Sequence, residues 1–181
     1  PGDFGRVVRD ARGRVRRMGD ADESEFLWVF LVPALNEEVT IADSISRLSE
    51  TQATNAVFLV IDDGSEDRTG EILAAMTDPR LRVLTRVAPD ARKGKAEALN
   101  AAYKLLREGI LREPAYAQWP EDRVVIAIVD ADGRLDPAAP PHVARHFRDS
   151  GIGGVQVLVR IYNRRGWLTW AQDVEFSSFG L

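Results

Sequence analysis

Two aspartates stand one residue apart, in Asp130-Ala-Asp132, directly after an apolar run at residues 124–129. Carboxylates with this spacing at a strand end can both approach one hard cation such as Mg²⁺ or Mn²⁺. Such a cation would neutralise a diphosphate and make it a better leaving group. Asp132-Gly133 is by itself also typical of a plain turn. The position after an apolar strand favours the cation site over the turn.

A second acidic segment, Asp62-Asp63-Gly64-Ser65, also follows an apolar run. Asp63 is a candidate acceptor of hydrogen bonds from a nucleotide base N–H or a ribose hydroxyl. The same residues are consistent with a strand-ending turn in which Ser65 or Asp67 caps the following helix. Both interpretations stay open at the level of the residues.

Two predicted helix starts carry charges of opposite sign. Asn36-Glu37-Glu38 is expected to open a helix, where carboxylates favour the positive end of the helix dipole, so capping would account for all three residues. Arg92-Lys93-Gly94-Lys95 opens a later helix, where cations oppose the dipole. The cations are explained if a phosphate binds at that helix start, and a solvated basic turn is the alternative.

The elements around these segments alternate between strand and helix patterns. Apolar runs predict strands at 27–32, 56–61, 81–84, 124–129 and 155–161, and spacings of three and four predict a helix in each interval between them. This order predicts an α/β fold with a mostly parallel sheet and helices on both faces. The continuous apolar run at 124–129 predicts a strand buried on both sides. Ligands of such sheets bind beyond the carboxyl ends of the strands, so the acidic segments are expected to meet at one edge.

Composition narrows the function classes. The chain has 181 residues, no cysteine and a formal net charge of −4. Disulfide scaffolds, cysteine-ligated metals and cysteine nucleophiles are excluded, and general attraction to nucleic acid is disfavoured. No apolar run approaches the about 18 residues of a membrane span, which predicts a soluble chain. Residues 1–26 are dense in charge and predict a linker or arm.

Taken in order, the motifs resemble family 2 glycosyltransferases, inverting enzymes with a GT-A fold, and in particular their membrane-bound polysaccharide-synthase branch. The resemblance covers about residues 27–180. The matching segments are Val32-Pro-Ala-Leu-Asn-Glu-Glu38, Ile61-Asp-Asp-Gly-Ser65 with Asp67 and Thr69, Lys93-Gly-Lys-Ala-Glu-Ala-Leu-Asn100, Asp130-Ala-Asp132 with Pro137, and Val155-Gln-Val with Gln172-Asp-Val-Glu-Phe-Ser-Ser178.

The resemblance implies a role for each matching position. The residues implied in nucleotide-sugar binding are Pro33, Ala34, Asn36, Glu37, Asp63, Lys95 and Asp130. The residues implied as ligands of the divalent cation, Mg²⁺ or Mn²⁺, are Asp132 and Asp130. Within this set, Asp63 would hold the uracil ring by its N–H and Lys95 would approach the diphosphate. The implied donor is a UDP-sugar, and the implied acceptor is a saccharide or a lipid. Residues 27–163 would form the nucleotide-sugar-binding GT-A core.

One expected part of the family pattern does not occur. The Thr-Glu-Asp-like motif that carries the catalytic base, and the later Gln-x-x-Arg-Trp motif, are absent from residues 1–181. We therefore expect the general base downstream of Leu181, in the acceptor-side half of a longer parent, and expect this chain alone to be inactive.

The last predicted region, residues 164–181, has an aromatic helical stripe formed by Trp167, Trp170, Ala171 and Val174. It is interpreted as an amphipathic helix that begins the acceptor-side region, and core packing is favoured over a membrane interface. Left uncovered, this stripe would favour self-association. The parent is expected at the cytoplasmic side of the cell membrane.

The same residues are compatible with two rival functions. One is a non-catalytic module that binds a nucleotide-sugar. The other is a HAD-like phosphatase with Asp130 as nucleophile, although that class places its aspartate after the first strand.

Overall fold

The N-terminal segment contains a short antiparallel pair, β1 (Val8–Arg9) and β2 (Val15–Arg16). A computed structural model of the chain describes residues 8–9, 15–16 and 23–157. A 3₁₀ turn at Glu23–Glu25 follows and leads to Phe26, which is only 2% exposed. Phe26 therefore belongs to the core, although the arm was predicted to extend to residue 26.

Four parallel strands form the main sheet. They are β3 (Leu27–Ala34), β4 (Ala56–Asp62), β5 (Leu81–Thr85) and β6 (Val124–Ile128), and their spatial order is β5-β4-β3-β6. Each matches a run that the sequence predicts as a strand. The parallel α/β fold predicted from the alternating pattern is confirmed.

Three helices lie between the strands and a fourth follows β6, where their apolar spacing predicts them. They are α1 (Ile41–Ser49), α2 (Thr69–Ala75), α3 (Lys95–Glu108) and α4 (Ala139–Ala144), with further 3₁₀ turns at Ile110–Arg112 and Glu121–Arg123. Helix α1 begins at Ile41 with Thr40 as its N-cap, so residues 36–38 precede the helix that they were expected to open.

Both faces of the two central strands, β3 and β4, are covered. On one face, Phe30 and Phe58 pack with their ring centroids 5.7 Å apart beneath residues of α1, α2 and α4. On the other face, Ala98, Ala102 and Leu106 of α3 pack on the alternate residues of β3 and β4. Burying a large apolar side chain contributes about 1.5–3 kcal/mol, so these two layers hold the central strands firmly.

The outer strand β6 differs from its prediction. Its register pairs Leu31 with Ile128, and within the described residues it lies at the end of the sheet order. Ile126 is 39% and Ile128 56% exposed, so the prediction of burial on both sides is wrong for this strand. An apolar run identifies a strand, but whether both of its faces are covered depends on its place in the sheet.

The register sets the edge where ligands are expected. Ala34, Asp62 and Thr85 stand side by side at the carboxyl ends of β3, β4 and β5. Asp130 follows the last registered pair of β3 and β6, Leu31–Ile128, by two residues. The segments that carry the candidate site residues therefore leave the sheet at one edge.

The chain divides into two compact units, Pro1–Arg148 and Asp149–Leu181. In the second unit the structure describes residues 149–157, where 155–157 have no regular secondary structure. The rest of the predicted strand at 155–161, and the predicted helix at 164–181, lie outside the described residues. Among the helices of the described part, none combines the length and hydrophobicity that a membrane crossing needs.

Candidate functional site

A cleft of about 380 Å³ opens at the carboxyl edge of the sheet. It is bounded by the ends of β3, β4 and β6 and by the start of α3. The predicted site residues line it with one exception, Asn36. The lining residues are Pro33, Ala34, Leu35, Glu37, Asp63, Arg92, Gly94, Lys95, Ala98, Asp130, Ala131 and Asp132.

Asp63 is held by a buried ion pair. Arg86 Nη1 donates to Asp63 Oδ1 at 2.5 Å, and both side chains are 8% exposed. Arg86 Nη2 also donates to the carbonyl of Asp90 at 2.6 Å, while the Asp63 N–H donates to the carbonyl of Ala34 at 2.9 Å. These contacts fix one carboxylate oxygen of Asp63 and keep the residue at the floor of the cleft.

The neighbouring Asp62 has a structural role. Its Oδ1 accepts the N–H of Ser65 at 2.9 Å, and a Cβ added at Gly70 would approach its Oδ2 to 3.3 Å. Gly64 takes φ +82°, and a Cβ there would lie 2.9 Å from that of Ala91. Asp62 therefore stabilises the turn at the end of β4. Of the two aspartates, only Asp63 lines the cleft.

Asn36 joins two loops. It takes the left-handed conformation, with φ 58°. Its backbone N–H donates to Ser65 Oγ at 3.0 Å, and its side-chain oxygen accepts the N–H of Glu66 at 2.8 Å. The residue thereby fixes the β3–α1 loop to the β4–α2 loop, and its predicted contact with a nucleotide stays a prediction.

Glu37 is positioned by the same pair of loops. Its backbone N–H donates to Thr69 Oγ1 at 2.8 Å, and Thr69 in turn donates to Asp67 Oδ1 at 2.5 Å. Thr40 Oγ1 donates to the carboxylate of Glu37 at 2.6 Å. Desolvation raises the pKa of Asp67, but hydrogen bonds from Thr69 and from the Glu38 N–H outweigh it and lower that pKa. The acid therefore stays charged as an acceptor for the loop.

The start of α3 faces the cleft without a capping side chain. Gly94 is the N-cap with φ 102°, and a Cβ added there would meet no atom within 4 Å. Lys95 is the first helical residue, and its Nζ donates to Asp130 Oδ1. An uncapped helix start with a lysine is suited to an anion, as the basic segment predicts.

The Asp130–Asp132 turn is fixed from below. The Gly133 N–H donates to the Asp130 carbonyl at 2.8 Å, and Ser44 Oγ of α1 donates to the Ala131 carbonyl. Ala131 is buried at 3% exposure. Because the central residue is anchored, the two flanking carboxylates project from a fixed turn into the cleft.

Two residues that position the site, Arg86 and Ser44, are not among the residues predicted from the sequence. Arg86 directly follows β5, so the rule that selected the other strand ends would have found it. Ser44 stands 87 residues before Ala131 on an ordinary amphipathic helix, and no local pattern marks it.

The sequence matches the model of the family described as glycosyl transferase family 2 over residues 29–179. A poly-beta-1,6-N-acetyl-D-glucosamine synthase of Staphylococcus aureus is 27% identical over 173 residues, which cover 94% of this chain and 38% of the synthase. A beta-monoglucosyldiacylglycerol synthase of Trichormus variabilis is 34% identical over 152 residues, 81% of this chain and 29% of that protein. The chain thus spans about two fifths or less of these relatives.

Solved structures share the fold. S. aureus TarS 1–349 in complex with UDP-GlcNAc has a TM-score of 0.52 at 18% identity, covering 77% of this chain and 39% of that one. The mannosyltransferase PcManGT from Pyrobaculum calidifontis, in complex with GDP-Man and Mn²⁺, has a TM-score of 0.52 at 24% identity, covering 74% and 35%. The predicted GT-A fold is confirmed by these likenesses.

Proposed function

Because this chain belongs to glycosyl transferase family 2, we propose that its cleft binds the donor of an inverting glycosyl transfer, a UDP-sugar, together with a divalent cation. The observation that carries the proposal is the meeting of Asp63, Lys95, Asp130 and Asp132 in one cleft of about 380 Å³. This volume is in the range of small-molecule sites. The UDP-GlcNAc complex of TarS supports a UDP-sugar, and the S. aureus synthase that matches this chain is named for a polymer of N-acetyl-D-glucosamine.

The nucleoside end lies against β3 and β4. Asp63 accepts the uracil N–H with the carboxylate oxygen that Arg86 leaves available, since one oxygen is committed to the buried ion pair. Pro33, Ala34 and Glu37 form the walls around the base and ribose. Asn36 supports this wall through its bonds to the adjacent loop.

The acids at the end of β6 fit a divalent cation. Asp130 and Asp132 offer hard carboxylate oxygens on a turn that Ser44 anchors. Within the described residues no group of three or more acids, histidines or cysteines is placed so that it could hold a metal ion. Two carboxylates leave coordination positions for water and substrate phosphate, which is how Mg²⁺ is commonly bound.

The charges of the cleft serve the leaving group. When bound, the cation neutralises charge that develops on the departing nucleoside diphosphate. Lys95 donates to the same diphosphate, and the uncapped N–H groups at the start of α3 point toward it. Displacement at the anomeric carbon also needs a base for the acceptor hydroxyl, and the resemblance assigns that base to the acceptor-side half.

Activity, acceptor and location are proposed for the whole protein. We expect transfer to a saccharide or lipid acceptor at the cytoplasmic side of the membrane, with residues 27–163 as the donor-binding core. The 181-residue chain alone is expected to bind the donor without transferring sugar. The match to family 2 excludes the phosphatase alternative. A module that only binds the donor remains the alternative, and an acidic motif downstream in the gene would decide against it.

Calorimetric titration of the 181-residue chain with UDP, with and without Mn²⁺, tests the proposal. We expect UDP to bind, to bind more tightly with Mn²⁺, and to lose the metal-dependent gain in Asp132→Asn. Asp122→Asn is the matched control, because Asp122 is an exposed acid in the 3₁₀ turn at the opposite end of β6.

The outcomes separate the parts of the proposal. Absence of UDP binding, or an Asp132→Asn variant indistinguishable from Asp122→Asn, would contradict it. Tighter binding of GDP than of UDP would overturn the choice of uracil. Sugar transfer by the purified chain would overturn the expected need for a downstream base.

A further inference from the structure

One ion pair crosses the cleft between the two groups that the proposed function separates. Lys95, at the first position of α3, donates to Asp130, at the end of β6. The Lys95 side chain is 53% and the Asp130 side chain 62% exposed. Both residues line the cleft.

While this ion pair is formed, Lys95 cannot bind the diphosphate and Asp130 cannot bind the cation with both of its carboxylate oxygens. The proposed function assigns Lys95 to the diphosphate and Asp130 to the cation, whereas in this structure they bind each other. An ammonium group occupies one carboxylate oxygen and repels an approaching cation. A cation arriving alone therefore meets one of its two proposed carboxylate ligands already paired.

We infer that Lys95 is an internal counter-ion that exchanges partners: a nucleoside diphosphate draws Lys95 away from Asp130, and this frees Asp130 for the cation. The inference rests on the proposed function and adds to it a coupling between the two ligands. Each ligand then raises the affinity of the other by the same factor, as linkage requires.

The exchange of partners by Lys95 costs little free energy. Exposed ion pairs contribute little, so the contact can open when a phosphate offers a doubly charged partner. The space beside Gly94, immediately before Lys95, is open. The lysine stem can therefore swing along the uncapped helix start, where phosphate oxygens would meet backbone N–H groups.

Lys93 provides a matched control. It carries the same charge two residues earlier, its side chain is 52% exposed, and its Nζ pairs with Asp90 at 3.2 Å. It is not among the residues that line the cleft. Lys93→Met therefore removes a nearby charge without releasing Asp130.

The experiment measures free Mn²⁺ by electron paramagnetic resonance in titrations of wild type, Lys95→Met and Lys93→Met, each with and without UDP. A titration of Mn²⁺ with UDP alone corrects for metal held by the nucleotide in solution. Without UDP, Lys95→Met should bind Mn²⁺ about two- to fivefold more tightly than wild type, the range that an exposed ion pair supports. The gain in Mn²⁺ affinity on adding UDP should shrink by the same factor. Without UDP, Lys93→Met should leave the Mn²⁺ affinity unchanged.

Several results would overturn the inference. The first is that Lys95→Met binds Mn²⁺ unmeasurably, as tightly as wild type, or more weakly than wild type. The second is that Lys93→Met gains as much Mn²⁺ affinity as Lys95→Met. If wild type binds no UDP, the proposed function fails, whereas the Mn²⁺ titration without UDP still reports on the Lys95–Asp130 contact. Thermal unfolding checks that each variant is folded, and Lys95→Gln replaces Lys95→Met if that variant is not.

Discussion

Removing the charge of Arg86 tests whether the buried ion pair builds the floor of the cleft. Arg86→Met keeps a long apolar stem but leaves the Asp63 carboxylate, 8% exposed, without its partner. It also removes the 2.6 Å bond to the Asp90 carbonyl. Removing one partner of a buried pair costs about 3–5 kcal/mol, and we expect about 3 kcal/mol because Asp63 borders a cleft that water can enter.

Urea unfolding at pH 7 of wild type, Arg86→Met, Asp63→Asn and the double variant measures the effect. The double variant should lose less free energy of unfolding than the two single losses combined, because neither change then strands a charge. Arg82→Met is the control, because Arg82 lies on β5, the strand that Arg86 directly follows. Arg82 pairs with Glu113 at 3.6 Å with side chains 35% and 43% exposed, so its loss should cost at most about 1 kcal/mol.

The same four proteins and the Arg82→Met control also give a functional readout, the affinity for UDP. UDP affinity should fall in Arg86→Met and stay unchanged in Arg82→Met, because only Arg86 orients the proposed acceptor of the uracil N–H. A cost below about 1 kcal/mol for Arg86→Met, or additive losses in the double variant, would refute the reasoning from burial.

Three further variants test the surroundings of the cleft. Thr69→Val leaves the Glu37 N–H without its acceptor, so it should lower the free energy of unfolding by about 1–3 kcal/mol and speed amide exchange at Glu37. Thr69→Ser keeps the hydroxyl and should leave the stability and the exchange rate close to those of wild type. Ser44→Ala removes the hydrogen bond that anchors the turn between the two proposed cation ligands. It should lower the free energy of unfolding in urea by about 1 kcal/mol and weaken Mn²⁺ binding in the presence of UDP. An unchanged Mn²⁺ affinity would contradict the positioning role of Ser44. Hydrogen bonds from Arg80 lower the pKa of Asp78 below its ordinary 3.8, so its stabilisation is complete above that pH and is lost as the pH falls. Asp78→Asn should therefore destabilise by about 1–3 kcal/mol at pH 7 and by less at pH 3, and an equal loss at both would refute the assignment.

Much of the fold follows from local pattern. The runs that build β3, β4 and β5, and the spacing of Ile41, Ile45 and Leu48 in α1, are read directly from hydrophobic periodicity. The rule for parallel sheets then places residues such as Asp63 and Asp130 at one edge. Local pattern was insufficient for β6, since burial of Ile126 and Ile128 depends on what lies beside the strand and above it.

The sequence by itself therefore determined the four strands of the main sheet, the helices that pack on it, the parallel α/β class, and which charged residues leave the sheet at its carboxyl edge. Only the tertiary structure decided how those residues are paired. Arg86 meets Asp63 across 23 residues, Lys95 meets Asp130 across 35, and Ser44 meets Ala131 across 87. Periodicity is a property of neighbouring residues, whereas these contacts depend on strand order and helix placement, which exist only once the whole core has packed.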